Sequence, residues 1–323
     1  MRYCGGVPVF GIIMATFEEK VERQVEIIKQ HTFLDPTRDK VFKEIFSKDV
    51  TLIHFLNAML HLPEERKIVS IERKKPASTL TSAIDVEEVR FDVHAKLNND
   101  EFVDLEMQRA SHEDFTDRVE LYADQLSIES KIHFDSQRTE TEKEDHPYLM
   151  PSTYSVWICN FPVSFCKSYR EELGLFRFSS IGDPDALPVY DKKRYIVVDL
   201  CKVDAKVLNL NTAETEWLEL FTKMASAKDA PKTNDPVIAD VYSRLAVSAL
   251  EKNFITEIAT GMVTEAEIST RIGTARREGR EEARFSDAEA LLRYGDSVEK
   301  VSLVLKLPLE KVQELADKIA AKK

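Results

Sequence analysis

Residues 90–108, RFDVHAKLNNDEFVDLEMQ, constrain the fold more than any other part of the chain. They read as two alternating runs joined by the turn-forming Asn98, Asn99 and Asp100. Side chains alternate between faces along a strand. Phe91, Val93 and Ala95 therefore share one side, and Arg90, Asp92, His94 and Lys96 the other. In the second run Val103, Leu105 and Met107 are apolar, Asp104, Glu106 and Gln108 are polar, and Phe102 is out of pattern.

A slip of one residue would set every apolar side chain of this hairpin against a polar one, so only some pairings match the faces. A three-residue turn placing Leu97 opposite Glu101 pairs Phe91 with Met107, Val93 with Leu105, Asp92 with Glu106 and Arg90 with Gln108. Carboxylates directly opposed on two strands have Cβ atoms roughly 4.5–5.5 Å apart and repel unless something positive lies between them. A divalent cation answers that need, with Asp92 and Glu106 as hard oxygen ligands and Gln108 one step further along the same face. His94 is a further ligand candidate, although a lone strand histidine is more often simply solvated. The competing reading is a surface hairpin decorated with charges.

With 323 residues and 43% apolar content, the chain has room for a globular core and an appendage. Its net charge of −12 excludes a wholly basic nucleic-acid coat protein but not a local basic groove. Four cysteines, at 4, 159, 166 and 201, lack both a disulfide framework and close CxxC pairs, so they read as reduced thiols of a cytoplasmic protein. The apolar run at 7–15 is too short to span a bilayer, and its charged flank is weak for an export signal, so no membrane partner is expected. No Gly-rich phosphate loop, zinc cluster or serine elbow occurs, which removes nucleotide-driven and serine-hydrolase chemistry.

In chain order, helical spacing predicts a helix over 37–60, capped by Thr37 or Asp39 and broken near 47–49, with Asp39, Lys40, Lys43 and Glu44 near one end. A strand is expected at 68–71. Five basic residues against one acidic between 66 and 75 make Arg73, Lys74 and Lys75 candidates for a phosphate-contacting edge, or else a solvated strand end. A helix over 114–131 places Arg118, Tyr122 and Gln125 on one face, turned toward the acidic side of the hairpin if it packs there. The acidic 139–146 segment reads as a loop, 154–161 as a strand, and 173–178 with 195–200 as a hairpin-like pair in which Asp199 is structural.

From 212 the chain reads as helical, with Asn211 and Asp235 as caps and Pro236 at a first helical position. The 271–284 segment is charged nearly all round and reads as a solvated connector. Beyond it, turns at Gly295-Asp296 and Leu307-Pro308 give the rhythm of a helix-turn-helix. Glu310, Glu314 and Asp317 make its last helix acidic for a groove reader, so packing or homo-oligomerisation is the favoured role of the tail. These breaks suggest an arm at 1–31, a core at 32–210, a helical extension at 211–270 and a charged helix with tail at 271–323.

Taken together, DKVFKEIF from Asp39, FLNAML with Asn57, Arg90-Phe-Asp92-Val, Leu105-Glu106-Met-Gln108 and the Arg118/Tyr122 pair resemble the PD-(D/E)XK nuclease family of transposase-like proteins, which includes the bacterial recombination-promoting (Rpn) nucleases. The charged segment before the helical tail is similar too. The resemblance implies an α/β, restriction-endonuclease-like mixed sheet flanked by helices, with a helical C-terminal region. It implies Asp92 and Glu106 as ligands of Mg²⁺, which Mn²⁺ could replace, with Asp39 as the acidic group of the first helix and Glu44 as its competitor. Tyr122 would belong to the catalytic set, and Arg118 to the DNA-contacting one. Gln108 stands where the wider superfamily has a lysine. It can donate a hydrogen bond but carries no charge, and Lys96 on the same face is its candidate substitute. The implied activity is Mg²⁺-dependent DNA endonuclease, linked to recombination or mobile DNA. The alternative is a weak or inactive nuclease fold serving as a DNA-binding or oligomeric scaffold.

Overall fold

The computed structural model describes residues 15–73, 92–98, 100–177, 185–209 and 212–320. Its helices are α1 (Phe17–Ile28), α2 (Asp39–Ile45), α3 (Asp49–Leu60), α4 (Phe115–Ser136), α5 (Glu140–Asp145), α6 (Ala205–Leu208), α7 (Ala213–Lys223), α8 (Pro236–Arg244), α9 (Lys252–Tyr294), α10 (Val298–Leu305) and α11 (Leu309–Ala320). Its strands are β1 (Ile71–Arg73), β2 (Val93–Leu97), β3 (Phe102–Gln108), β4 (Thr153–Cys159), β5 (Arg170–Leu175) and β6 (Tyr190–Asp199). Two compact units result, one of residues 25–258 and one of 1–24 with 259–323.

The first unit is built on one mixed sheet of order β1-β2-β3-β4-β6-β5. The three pairs β1/β2, β2/β3 and β5/β6 are antiparallel, while β3/β4 and β4/β6 are parallel. A parallel neighbour requires a crossover, and α4 supplies it between β3 and β4 by packing across β3, β4 and β6. Phe115, Val119, Tyr122 and Leu126 of α4 meet Phe102, Trp157, Phe161 and Val197 in one buried cluster. This explains the out-of-pattern Phe102: its face of the hairpin lies under a helix.

The opposite face is buried as well, through Ala95, Val103, Leu105, Val156, Ile158, Ile196 and Val198. Burial on both faces is why β4 lacks alternation and is buried throughout. Helices α2, α3 and α7 contribute an aromatic cluster in which Phe42, Phe46, Phe55, Trp217 and Phe221 lie within ring contact. Helix α3 is tied near both sheet edges. The Asn57 amide exchanges two hydrogen bonds with the Ile68 backbone ahead of β1, and Arg170 of β5 donates to the Met59 carbonyl.

The helix break near 47–49, the strand at 154–161 and the β5/β6 pair form close to where the pattern puts them. Asp235 caps α8 with Pro236 in its first turn, and Asp199 is structural: fully buried, it accepts from the Val163 and Cys201 amides. Four local expectations are corrected. Neither Thr37 nor Asp39 caps α2. Arg38 holds the cap position without a side-chain bond, and Thr37 is drawn back by its amide and hydroxyl to Asp35. The first strand lies at 71–73 rather than 68–71, because the Asn57 clasp takes Ile68. Residues 140–145 form a helix, since Thr139 and Glu142 close a capping box. Thr212 caps α7, and Asn211 lies outside the described residues.

Helix α9 is 43 residues long, and its residues from 259 onward belong to the second unit, where Gly295, at φ 108, lets the chain turn into α10. Helices α10 and α11 pack against the end of α9 through Ala288, Val301, Leu307 and Val312. Among the described residues no helix is long and apolar enough to cross a membrane. Cys159, Cys166 and Cys201 are unpaired.

Candidate active site on the hairpin

The hairpin closes as its alternation requires. Val93 faces Leu105, His94 faces Asp104, and the Leu97 amide donates to the Glu101 carbonyl at 2.7 Å. Asp100 takes φ 60 in the three-residue loop, a left-handed conformation that Asp tolerates better than most residues. Asp92 directly precedes β2, and its partner across the ladder is Glu106. The two are laced reciprocally: the Asp92 amide donates to Glu106 Oε1 at 2.8 Å, and the Met107 amide donates to Asp92 Oδ2 at 3.0 Å. Each carboxylate is thus oriented by the opposite strand's backbone. Arg90, Phe91 and Asn99 lie outside the described residues.

Helix α2 brings its first turn to this pair. Asp39 Oδ1 lies 2.6 Å from Lys43 Nζ, which also lies 3.2 Å from Asp92 Oδ1. The start of α2 is tethered to the end of β3, where Arg109 reaches Thr37 Oγ1 at 3.4 Å and Asp35 at 3.7 Å. Partial burial disfavours the Lys43 charge, but Asp39 and Asp92 outweigh it and hold the ammonium above its usual range. Glu44, the competitor of Asp39, is bound instead to Arg244 at 3.1 Å.

Helix α4 covers the acidic face. Arg118 donates to the Tyr122 hydroxyl at 2.9 Å and lies over its ring at 5.0 Å. Burial and the nearby Glu106 push the Tyr122 phenol up, against the opposing pull of Arg118. Beneath the helix, Glu106 is 1% exposed and Asp104 fully buried. No donor among the described residues reaches either oxygen of Asp104, and its neighbour is the Glu106 carboxyl. Two carboxyl groups in contact can share only a proton or a cation. Burial first, then the Glu106 and Asp92 charges, hold Asp104 well above the ordinary carboxylate range. Glu106 is also well above it, through burial and Asp92, which outweigh the Asp92 amide and Arg118. Burial raises Asp92 too, opposed by Lys43 and the Met107 amide.

The structure therefore gathers Asp39, Asp92, Glu106, Arg118 and Tyr122 around one end of the hairpin. Gln108 ends β3 half-buried, its carbonyl accepting the Asn160 amide at 2.7 Å. Two other expectations fare differently. Lys96 is drawn to the turn end of the hairpin, 2.6 Å from Asp100 and 2.7 Å from Gln137 Oε1, where it cannot substitute for a lysine beside Glu106. Arg73 is held by Asp49 at 2.7 Å and by the Phe46 carbonyl at 2.6 Å. Within the same basic stretch, Arg66 is held by Glu101 and the Tyr154 hydroxyl. Lys74 and Lys75 lie outside the described residues. His94 lies 3.9 Å from Glu129 of α4. Sequence reasoning missed Lys43 and Asp104 as site residues. The i,i+4 spacing from Asp39 and the period-2 step from Glu106 were the signals that could have found them.

Among the described residues no group of three or more His, Cys, Asp or Glu side chains is arranged to hold a metal ion by itself. The donors nearest to that role are the oxygens of Asp92 and Glu106, with Asp104 behind them.

A mixed sheet with paired carboxylates on a hairpin, an acidic helix start and an Arg–Tyr pair beside them defines a nuclease-like α/β domain. The model of the PD-(D/E)XK nuclease family transposases matches residues 36–261, well over half of the chain, which therefore belongs to that family. Comparison with curated proteins and with solved structures gives no match.

Proposed function

We propose that this chain is a cytoplasmic, divalent-metal-dependent DNA endonuclease, linked to recombination or mobile DNA. The observation that carries the reading is the Asp92/Glu106 pair, laced across the hairpin beside a buried Asp104 that no donor among the described residues satisfies. Buried carboxyls without donors are costly unless a proton or cation joins them. Oxygen donors of this kind suit Mg²⁺ or Mn²⁺, and Mg²⁺ characteristically uses one or two carboxylates, leaving other positions to water and substrate phosphate. Bound there, such an ion would polarise the phosphoryl oxygen and offset charge on the leaving 3′-oxygen.

The chain's own residues supply the rest. Water oxygen forms the new bond to phosphorus, the P–O3′ bond breaks, and the proton from water ends on the leaving oxygen. Gln108 has an amide to orient that water but cannot act as a base. Lys43 supplies the ammonium that the hairpin lacks, held by Asp39 and Asp92 where it can face a phosphate. Arg118 offers a guanidinium on the other side, positioned by Tyr122.

Plasmid nicking tests the reading: relaxed circles are expected with Mg²⁺ or Mn²⁺ and none with EDTA. Nicking unaffected by EDTA would sink it. Lys43→Met is expected to slow nicking at least about tenfold, equivalent to about 1.4 kcal/mol of barrier, with partial rescue in Lys43→Arg. Equal loss in both variants would remove Lys43 from phosphate contact.

Gln108 in the lysine position favours a second reading, a non-cutting scaffold that binds DNA or self-associates through its helical tail. It predicts salt-dependent DNA binding without metal-dependent nicking.

A further inference from the structure

Helix α9 carries a row of arginines within the second unit. Arg277, Arg280 and Arg284 stand at i, i+3 and i+7, so they share a face and span about 10 Å along the axis. With Glu281, and with Lys306, Leu307 and Pro308 from the turn between α10 and α11, they line an open groove of about 620 Å³. Gly273 extends it by about one turn, and a Cβ there would meet nothing within 4 Å.

Three features separate this groove from an ordinary solvated helix face. Arg280 and Arg284 are like charges one turn apart, an arrangement that destabilises an isolated helix. The one lining acid is already neutralised from outside the lining, since Lys311 Nζ lies 3.2 Å from Glu281 and 5.5 Å from the centre of the Phe285 ring. Arg277, Arg280, Arg284 and Lys306 make no ion pair among the described residues, in a chain with net charge −12. Among the described residues most other arginines are held by carboxylates, as Arg66, Arg73, Arg244 and Arg293 are.

We propose that this groove binds the phosphodiester backbone of duplex DNA, as a site separate from the hairpin. The planar guanidinium fork matches phosphate oxygens bidentately, and a row of such forks without base-reading partners gives affinity and register but no sequence choice. The acidic α11 does not read bases; the arginine row of α9 holds the backbone. The choice of DNA over another polyanion rests on the nuclease reading, whereas the anion site rests on α9 alone.

The test uses the full chain carrying Asp92→Ala, in EDTA, with a fluorescent 25-base-pair duplex of arbitrary sequence titrated across a salt series. Arg277→Gln/Arg280→Gln/Arg284→Gln is expected to weaken binding at least about tenfold and to lower the slope of log affinity against log salt by about 2–3, roughly 0.9 for each lost phosphate contact. The corresponding triple Lys variant, matched in thermal stability, should keep most of that slope. An unchanged slope in the Gln variant would overturn the proposal. Polyglutamate competing as well as unlabelled DNA of equal charge would overturn the choice of DNA. Nicking by the wild-type protein is scored separately: slope loss without any nicking retains the groove and discards the nuclease, and nicking without slope loss does the reverse.

Discussion

Asp92→Ala and Glu106→Ala are each expected to reduce metal-dependent plasmid nicking by at least about 100-fold, because loss of an oxygen ligand removes several kcal/mol of charge stabilisation from the transition state. The two variants separate chemistry from folding. Asp92 accepts the Met107 amide at 3.0 Å, so its removal leaves one backbone donor short, at about 1 kcal/mol. Glu106 accepts the Asp92 amide at 2.8 Å while lying against Asp104, so its removal relieves carboxyl crowding as it loses that bond. Thermal melts should therefore stay within a few degrees of wild type in both. A folded Asp92→Ala or Glu106→Ala protein that nicks at the wild-type rate would end the assignment of the hairpin as the active centre.

Asp104→Asn is expected to stabilise the metal-free protein at neutral pH. Burial and its acidic neighbours raise the Asp104 carboxyl well above the ordinary range in the folded state, while in the unfolded chain it titrates normally. The folded state therefore binds this proton more tightly, and stability falls as pH rises from the ordinary carboxylate range toward the raised folded value. Asparagine does not titrate, and its NH₂ can donate to Glu106. In EDTA at pH 7 a gain of about 1–3 kcal/mol follows, or roughly 2–8 °C in melting temperature, shrinking as pH is lowered toward 4. Melting curves across pH 4–8 measure it. A variant less stable than wild type at pH 7, or a gain that does not shrink in acid, would contradict the carboxyl contact beneath α4.

The first-helix sequence DKVFKEIF illustrates what spacing can and cannot say. Its apolar stripe predicted a helix whose Val41, Phe42, Ile45 and Phe46 are indeed fully buried. It also placed Asp39 and Lys43 on one face, without saying that this face meets Asp92. That contact depends on the tether from Arg109 to Asp35 and Thr37, which joins segments 72 residues or more apart. Lys96 shows the opposite failure. Alternation put it on the face of Glu106, but Asp100 and Gln137 draw it to the far end of the strand.

What the sequence determined by itself is the hairpin. A period of two leaves only registers that avoid setting apolar against polar side chains, and the one closed by a three-residue turn puts Asp92 across from Glu106. What only the tertiary structure decided is the environment of that pair: α4 lying over the acidic face, Asp104 buried against Glu106 without a donor among the described residues, and the ammonium arriving from α2 instead of from the strand. Local periodicity fixes which way a side chain points. The dielectric around it and the charges that reach it are set by elements packed from elsewhere in the chain, and those decide the chemistry.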